Sequence, residues 1–170
     1  MGASKKMNSS SVITSSGTKA NTTGNQLERF VQDALRAHDY AEFWNHKSQA
    51  FANRKSIGGK QYIKQLPVGD TIYDTTRKCD FFIINRTKFP NDLIIESKWQ
   101  QISGSVDEKY PFLYFNIIRT GVPTVVLIDG GGYKPAAKAW LKDQVSKTGA
   151  LIGVWTMAEF QTQVNNGFLG

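Results

Sequence analysis

Asp80 and the tripeptide Glu96-Ser97-Lys98 are the residues of this chain whose types and spacing suit chemistry. They sit at two apolar runs, Phe81-Phe82-Ile83-Ile84-Asn85 and Asp92-Leu93-Ile94-Ile95-Glu96, each of which reads as a strand. In a strand, side chains at i and i+2 share a face and lie ~7 Å apart along the chain. Glu96 and Lys98 therefore project together, with Ser97 on the other face. If the two strands pair, Asp80 can approach Glu96 where they diverge. Two carboxylates and the main-chain carbonyl of Ser97 are hard oxygen donors suited to Mg²⁺, which keeps several waters. Such a metal lowers the pKa of a bound water and neutralises charge developing on a phosphoryl oxygen. Lys98 can then steer the attacking water and stabilise a pentavalent transition state. Elsewhere Glu-x-Lys on a strand is commonly an exposed ion pair, and a lone Asp a turn cap. Here the pair ends an Ile-Ile run that predicts a central strand, where charges are unexpected without a task.

The surrounding elements must position these residues. Residues 1–24, rich in Ser, Thr, Asn and Gly, predict a mobile arm, and residues 25–170 a single domain. A helix is expected from Asn25, a good N-cap, with Leu27, Phe30, Val31, Ala34 and Leu35 at helical spacing. Residues 41–52 fit either a helical continuation or a loop. A short strand is expected at 62–66, a turn at 67–70, and strands at 79–85 and 92–98 joined by a loop carrying Pro90-Asn91-Asp92. A helix over 107–120, a strand over 123–128, a helix over 135–145, a strand over 151–155 and a helix over 156–165 complete the order. That order predicts an α/β domain, a central mixed β-sheet flanked by helices.

The 170 residues carry a formal net charge of +7, which favours a polyanionic partner: nucleic acid first, an acidic membrane surface second. One cysteine, Cys79, excludes an internal disulfide framework and suits a reducing compartment. No apolar run approaches the ~20 residues of a membrane span, and the start lacks the apolar stretch of a secretory signal. The expectation is a soluble, cytoplasmic protein.

Cys79-Asp80 followed by Glu96-Ser97-Lys98 on the next strand resembles the PD-(D/E)xK nuclease superfamily, which includes restriction endonucleases, some homing endonucleases and Holliday-junction resolvases. The helix–strand order over roughly residues 25 to 155 is similar to that family's core. The proline that usually precedes the aspartate is Cys79 here. The resemblance implies a restriction-endonuclease-like core with Asp80 and Glu96 as metal ligands and Lys98 as the catalytic lysine. It also draws in Glu28, similar to an acid that often completes the site from the first helix. Asn25-x-x-Glu28 equally fits a capping box. Gln100 extends an ExKxQ pattern and could orient water or contact a phosphate, or be a plain surface residue.

Lys47, Arg54, Lys55, Lys60 and Lys64 precede the catalytic strands and could neutralise phosphates, as could Lys109 after them; a solvated basic face explains the same run. Ser103, Ser105 and Asp107 are expected near the active end of the strand. Lys134, Lys138 and Lys142 form a helical stripe of the solubilising kind, the Asp129-Gly130-Gly131-Gly132 loop permits close backbone approach, and His38 and His46 receive no role. The leading expectation is a Mg²⁺-dependent DNA endonuclease, with Mn²⁺ as a substitute, that cuts double-stranded DNA as a homo-oligomer. Sequence-specific cleavage of restriction or homing type is favoured over structure-specific cleavage by a junction resolvase. A non-catalytic DNA-binding subunit of a repair or transposition complex is the reading from another class.

Overall fold

A computed structural model of the chain describes residues 16–44, 47–101 and 108–170, with side chains for 26–44, 49–101 and 108–170. The apolar runs form the middle of a six-stranded sheet. Its strands are β1 (Ala41–Glu42), β2 (Gln61–Asp70), β3 (Thr76–Asn85), β4 (Phe89–Trp99), β5 (Thr124–Asp129) and β6 (Leu151–Trp155), in the spatial order of the sequence. β2, β3 and β4 are antiparallel neighbours, whereas β4, β5 and β6 run parallel, as do β1 and β2. The sheet is mixed, as the sequence predicts.

Helices cover both faces, which is why Phe81 to Ile84 and Leu93 to Ile95 are apolar without alternation and wholly buried. On one face lie α1 (Ser16–Ala37) and α5 (Met157–Asn165). Leu27, Val31, Leu35 and Phe160 there pack on Phe81, Ile83, Ile95 and Leu127. On the other lie the crossover helices α3 (Lys109–Thr120) and α4 (Pro135–Asp143), whose Tyr110, Ile117 and Leu141 pack on Val126 and Ile128. A single turn, α2 (Lys47–Ala50), brings Ala50 onto Ile63, Phe82 and Ile94. Among the described residues no helix is long and apolar enough to cross a membrane.

Several boundaries differ from expectation. α1 begins at Ser16, so residues 16–24 of the expected arm have helical backbone and Asn25 lies inside the helix. Residues 1–15 lie outside the described residues. With Asn25 interior, the capping-box account of Glu28 falls. A complete capping box exists instead at α5, where Thr156 and Glu159 exchange hydrogen bonds of 3.1 and 2.6 Å. The turn expected at 67–70 is the end of β2, where Pro67 pairs with Lys78 in register and the register shifts before Asp70. β1 spans only two residues, so most of β2 has one neighbour, and an absent N–H on the open side costs no ladder bond. Residues 41–52 divide into β1, a short connection and α2. Pro90-Asn91-Asp92 belongs to β4, and the hairpin turn is the preceding Arg86-Thr87-Lys88.

Candidate active site

The β3–β4 hairpin pairs from its turn, through a register shift between Ile83 and Asn85, only as far as Phe81 opposite Ile95. Beyond that rung the strands splay, and the Asp80 carboxylate fills the gap. Its Oδ2 accepts the main-chain N–H of Ser97 at 2.7 Å, in the position of a ladder bond. β4 does not fray here, because β5 backs it through Glu96 opposite Val126 and Lys98 opposite Ile128. The sheet therefore opens on one side of β4 while the other side holds it rigid.

Glu96 and Lys98 project together, as alternation requires. The Lys98 Nζ donates to Glu96 Oε2 at 2.9 Å and to Asp80 Oδ2 at 3.2 Å, bridging the two acids. Glu96 is buried, and its second oxygen, Oε1, accepts from Arg77 Nη2 at 2.8 Å. Asp80 Oδ1 accepts from Gln65 Nε2 at 3.2 Å. Burial alone would lower the pKa of the Lys98 ammonium, but the charges of Glu96 and Asp80 outweigh it and hold the group above the ordinary lysine value. Lys98 is thus the resident cation between the two acids.

Glu28 reaches the same region from α1. Burial raises its pKa, the negative charge of Asp80 adds to the rise, and Lys64 and Lys98 pull against it. These influences place Glu28 within electrostatic reach of the hairpin site, although among the described residues no group of three or more His, Cys, Asp or Glu forms a ready metal cage. The donor set nevertheless fits a hard divalent ion. Two carboxylate oxygens already converge on one cation, the Lys98 ammonium, which stands where a bridging metal would compete for the same atoms.

A cavity of about 300 Å³ opens beside the pair on the α3 side, lined by Arg77, Glu96 and Lys98 with Lys78, Lys109 and Phe112. A larger depression of about 560 Å³ lies around Lys60, Arg86 and Lys88 near the hairpin turn, and no acid lines it. Size is a poor guide here; the acids decide.

The remaining expected site residues scatter. Gln100 is buried, not exposed on a groove: its Nε2 donates to Gly132 O at 3.1 Å and its Oε1 accepts from Tyr110 at 3.3 Å. The anticipated close approach at the glycine loop is made by Gln100 itself, since a Cβ on Gly130, at φ +100°, would fall 2.4 Å from Gln100 O. As placed, Gln100 braces that loop against the active strand. The basic run does not form one surface. Lys64 lies on the Glu28 side, with Gln32 Oε1 at 3.4 Å, whereas Lys60 is tied at the opposite end to Gly170 O at 3.0 Å. Arg54 is bonded to Phe51 O at 2.7 Å and paired with Asp92, and Lys55 is exposed beside it. Lys109 reaches the cavity rim; the Lys47 side chain, His46, Ser103, Ser105 and Asp107 lie outside the described residues. His38 bonds Ala34 O at 2.9 Å, Lys138 lies over the Tyr133 ring, and Lys142 pairs with Glu159. Arg77 and Gln65 escaped the sequence reading. No local signal marks them, since Gln65 meets Asp80 across 15 positions and Arg77 meets Glu96 across 19.

A family model described as a PD-(D/E)XK nuclease superfamily domain matches residues 19–168. No curated protein and no solved structure matches the chain.

Proposed function

The chain belongs to the PD-(D/E)XK nuclease superfamily, and from that premise we propose that it is a divalent-metal-dependent endonuclease acting on double-stranded DNA. The observation that carries this reading is the convergence of Asp80 Oδ2 and Glu96 Oε2 on a single cation at the point where β3 and β4 splay. Asp80 and Glu96, with the main-chain carbonyl of Ser97, would hold Mg²⁺ or Mn²⁺, and Glu28 would add charge from α1. When bound, such an ion supplies an acidified water and offsets negative charge on the phosphoryl oxygens.

The chain's own residues do the rest. Lys98, set between the two carboxylates, would act as a donor to the scissile phosphate and the attacking water. Arg77 keeps Glu96 charge-balanced from behind. Lys78 and Lys109 at the cavity rim, and Lys64 on the Glu28 side, are placed to neutralise backbone phosphates on either side of the cut. The net charge of +7 supports the same polyanionic substrate. Two cuts on a duplex suit a two-fold assembly, so a homodimer acting on a specific sequence is the favoured form.

The test is incubation with supercoiled and branched DNA in Mg²⁺ or Mn²⁺, with EDTA as control, for wild type and Lys98→Met. Cleavage that EDTA abolishes and the substitution lowers by about 10²-fold is expected. Absence of metal-dependent cutting on both substrates, or full activity in the variant, would sink the proposal. Preference for branched DNA would replace sequence-specific cutting with junction resolution, and binding without cutting would favour a non-catalytic DNA-binding subunit.

A further inference from the structure

We infer that Arg77 is a positioning residue for Glu96, gripping one carboxylate oxygen so that the other is presented to the metal. This rests on the reading of Asp80 and Glu96 as metal ligands. Arg77 sits on β3 with its side chain 5% exposed, and its guanidinium divides its donors between two elements. Nη2 serves Glu96 Oε1 at 2.8 Å. Nη1 serves the main-chain carbonyl of Asn116 at 3.2 Å and the hydroxyl of Thr120, both in the C-terminal half of α3. Thr120 in turn donates to Asn116 O at 2.9 Å, so the anchor is itself cross-braced.

The consequence follows from the freedom of a carboxylate. The terminal torsion of Glu is broad and roughly two-fold, so a Glu held by one contact can swing its oxygens. Fixing Oε1 from behind defines where Oε2 points, and Oε2 is the oxygen turned toward Asp80 and Lys98. Charge balance alone does not require this arrangement, because Lys98 already supplies a cation to Glu96. A planar fork that can hold an acid on one side and a helix end on the other is specific to arginine. The same contact ties the geometry of the acid to α3, the helix that forms a wall of the cavity.

The experiment measures Mn²⁺ binding to the DNA-free full chain by titration calorimetry, together with kcat and KM for DNA cleavage, in wild type, Arg77→Lys and Thr120→Val. Arg77→Lys keeps the cation but cannot grip Glu96 and α3 at once. Its Mn²⁺ affinity should fall by about 10- to 100-fold, with a matching fall in kcat, an unchanged KM and a near wild-type unfolding midpoint. Thr120→Val, which loosens the anchor and leaves the guanidinium–Glu96 pair, should show a smaller loss of the same kind. Wild-type Mn²⁺ affinity in Arg77→Lys overturns the inference, since the guanidinium would then only balance charge. Should that variant fail to fold, unchanged affinity in Thr120→Val overturns it instead. If wild type binds Mn²⁺ without cutting DNA and Arg77→Lys binds it more weakly, the endonuclease reading falls and this inference stands. Wild type that binds no Mn²⁺ overturns both.

Discussion

β4 carries two buried carboxylates, Asp92 near its start and Glu96 near its end, and each is flanked by two cations. Asp92 meets Arg54 and Arg86, both at 3.4 Å; Glu96 meets Arg77 at 2.8 Å and Lys98 at 2.9 Å. Each also borders a cavity, of about 250 Å³ at Asp92 and about 300 Å³ at Glu96. Burial, ion pairing and an opening are therefore common to both. The difference lies in how the cations are used. Arg86 donates to the carbonyls of Ile57 and Arg54, and Arg54 to that of Phe51, so the Asp92 cluster fastens the 51–57 segment onto the hairpin. Lys98, by contrast, is bonded to a second carboxylate, and among the described residues it is the one cation paired with two acids. A fastener needs one acid. A metal site needs two that converge.

The largest expected effect tests that contrast directly. Glu96→Gln should lower DNA cleavage by about 10³-fold, while Asp92→Asn should leave it within about twofold, both read from initial rates at saturating Mg²⁺. Comparable losses in the two variants would break the distinction. A subtler outcome is expected for Lys98→Met. Its cleavage falls, yet Mn²⁺ binding in the absence of DNA should be tighter than in wild type, because a competitor for Asp80 Oδ2 and Glu96 Oε2 has been removed. Weaker binding in that variant would show that the ammonium supports the ligands and does not compete for them.

The smallest effect concerns stability. Burial raises the pKa of the Asp92 carboxyl, and Arg86 and Arg54 recover only part of that cost. Replacing the charge by an amide of equal shape should therefore cost less than the roughly 3–5 kcal/mol of breaking a fully buried pair. The sign of the pH dependence follows from linkage. With the folded-state pKa above the unfolded one, the native state binds the proton more readily. Wild type is thus favoured below the unfolded value, and that advantage is lost as pH rises through the folded value. Urea unfolding at several pH values from roughly 4 to 7 should show wild type losing ground to Asp92→Asn as pH increases. The opposite slope would mean that the arginines dominate and that the cluster is a net stabilising ion pair.

Asp80, Glu96 and Lys98 were legible in the sequence because their signal is local: charges at strand spacing beside apolar runs. The mixed sheet was legible for the same reason, since Val125 to Ile128 and Leu151 to Trp155 carry their burial in their composition. Asp92 was read at the junction of loop and strand, because Pro90-Asn91 beside it has turn chemistry. It lies instead within β4, at the register shift between the Ile83–Leu93 and Asn85–Phe89 rungs, with an unusual φ of +61°. The start of α1 was hidden by the weak helix propensity of Ser, Thr, Asn and Gly in residues 16–24, and by an Asn25 that imitates a cap. Arg77 was invisible for a different reason. Its role depends on Glu96 and on the end of α3, and no periodicity encodes contacts that remote. Gln100 follows the same rule in reverse, as its alternation with Glu96 and Lys98 was readable but its position past the end of β4 and its partners, Tyr110 and Gly132, were not.

The last rung of the hairpin has one more consequence. Asp80 meets Ser97 because the count of residues on either side of the Arg86-Thr87-Lys88 turn brings Phe81 opposite Ile95. The turn works as a ruler, about 20 Å from Asp80 at strand rise, and it is measured in whole residues. Adding or deleting one residue there would slide β3 along β4 by a single step, and in a period-two structure one step exchanges inside for outside. Asp80 would then face away from Lys98 with every candidate side chain still present. The spacing within the hairpin is as much part of the site as the acids it aligns.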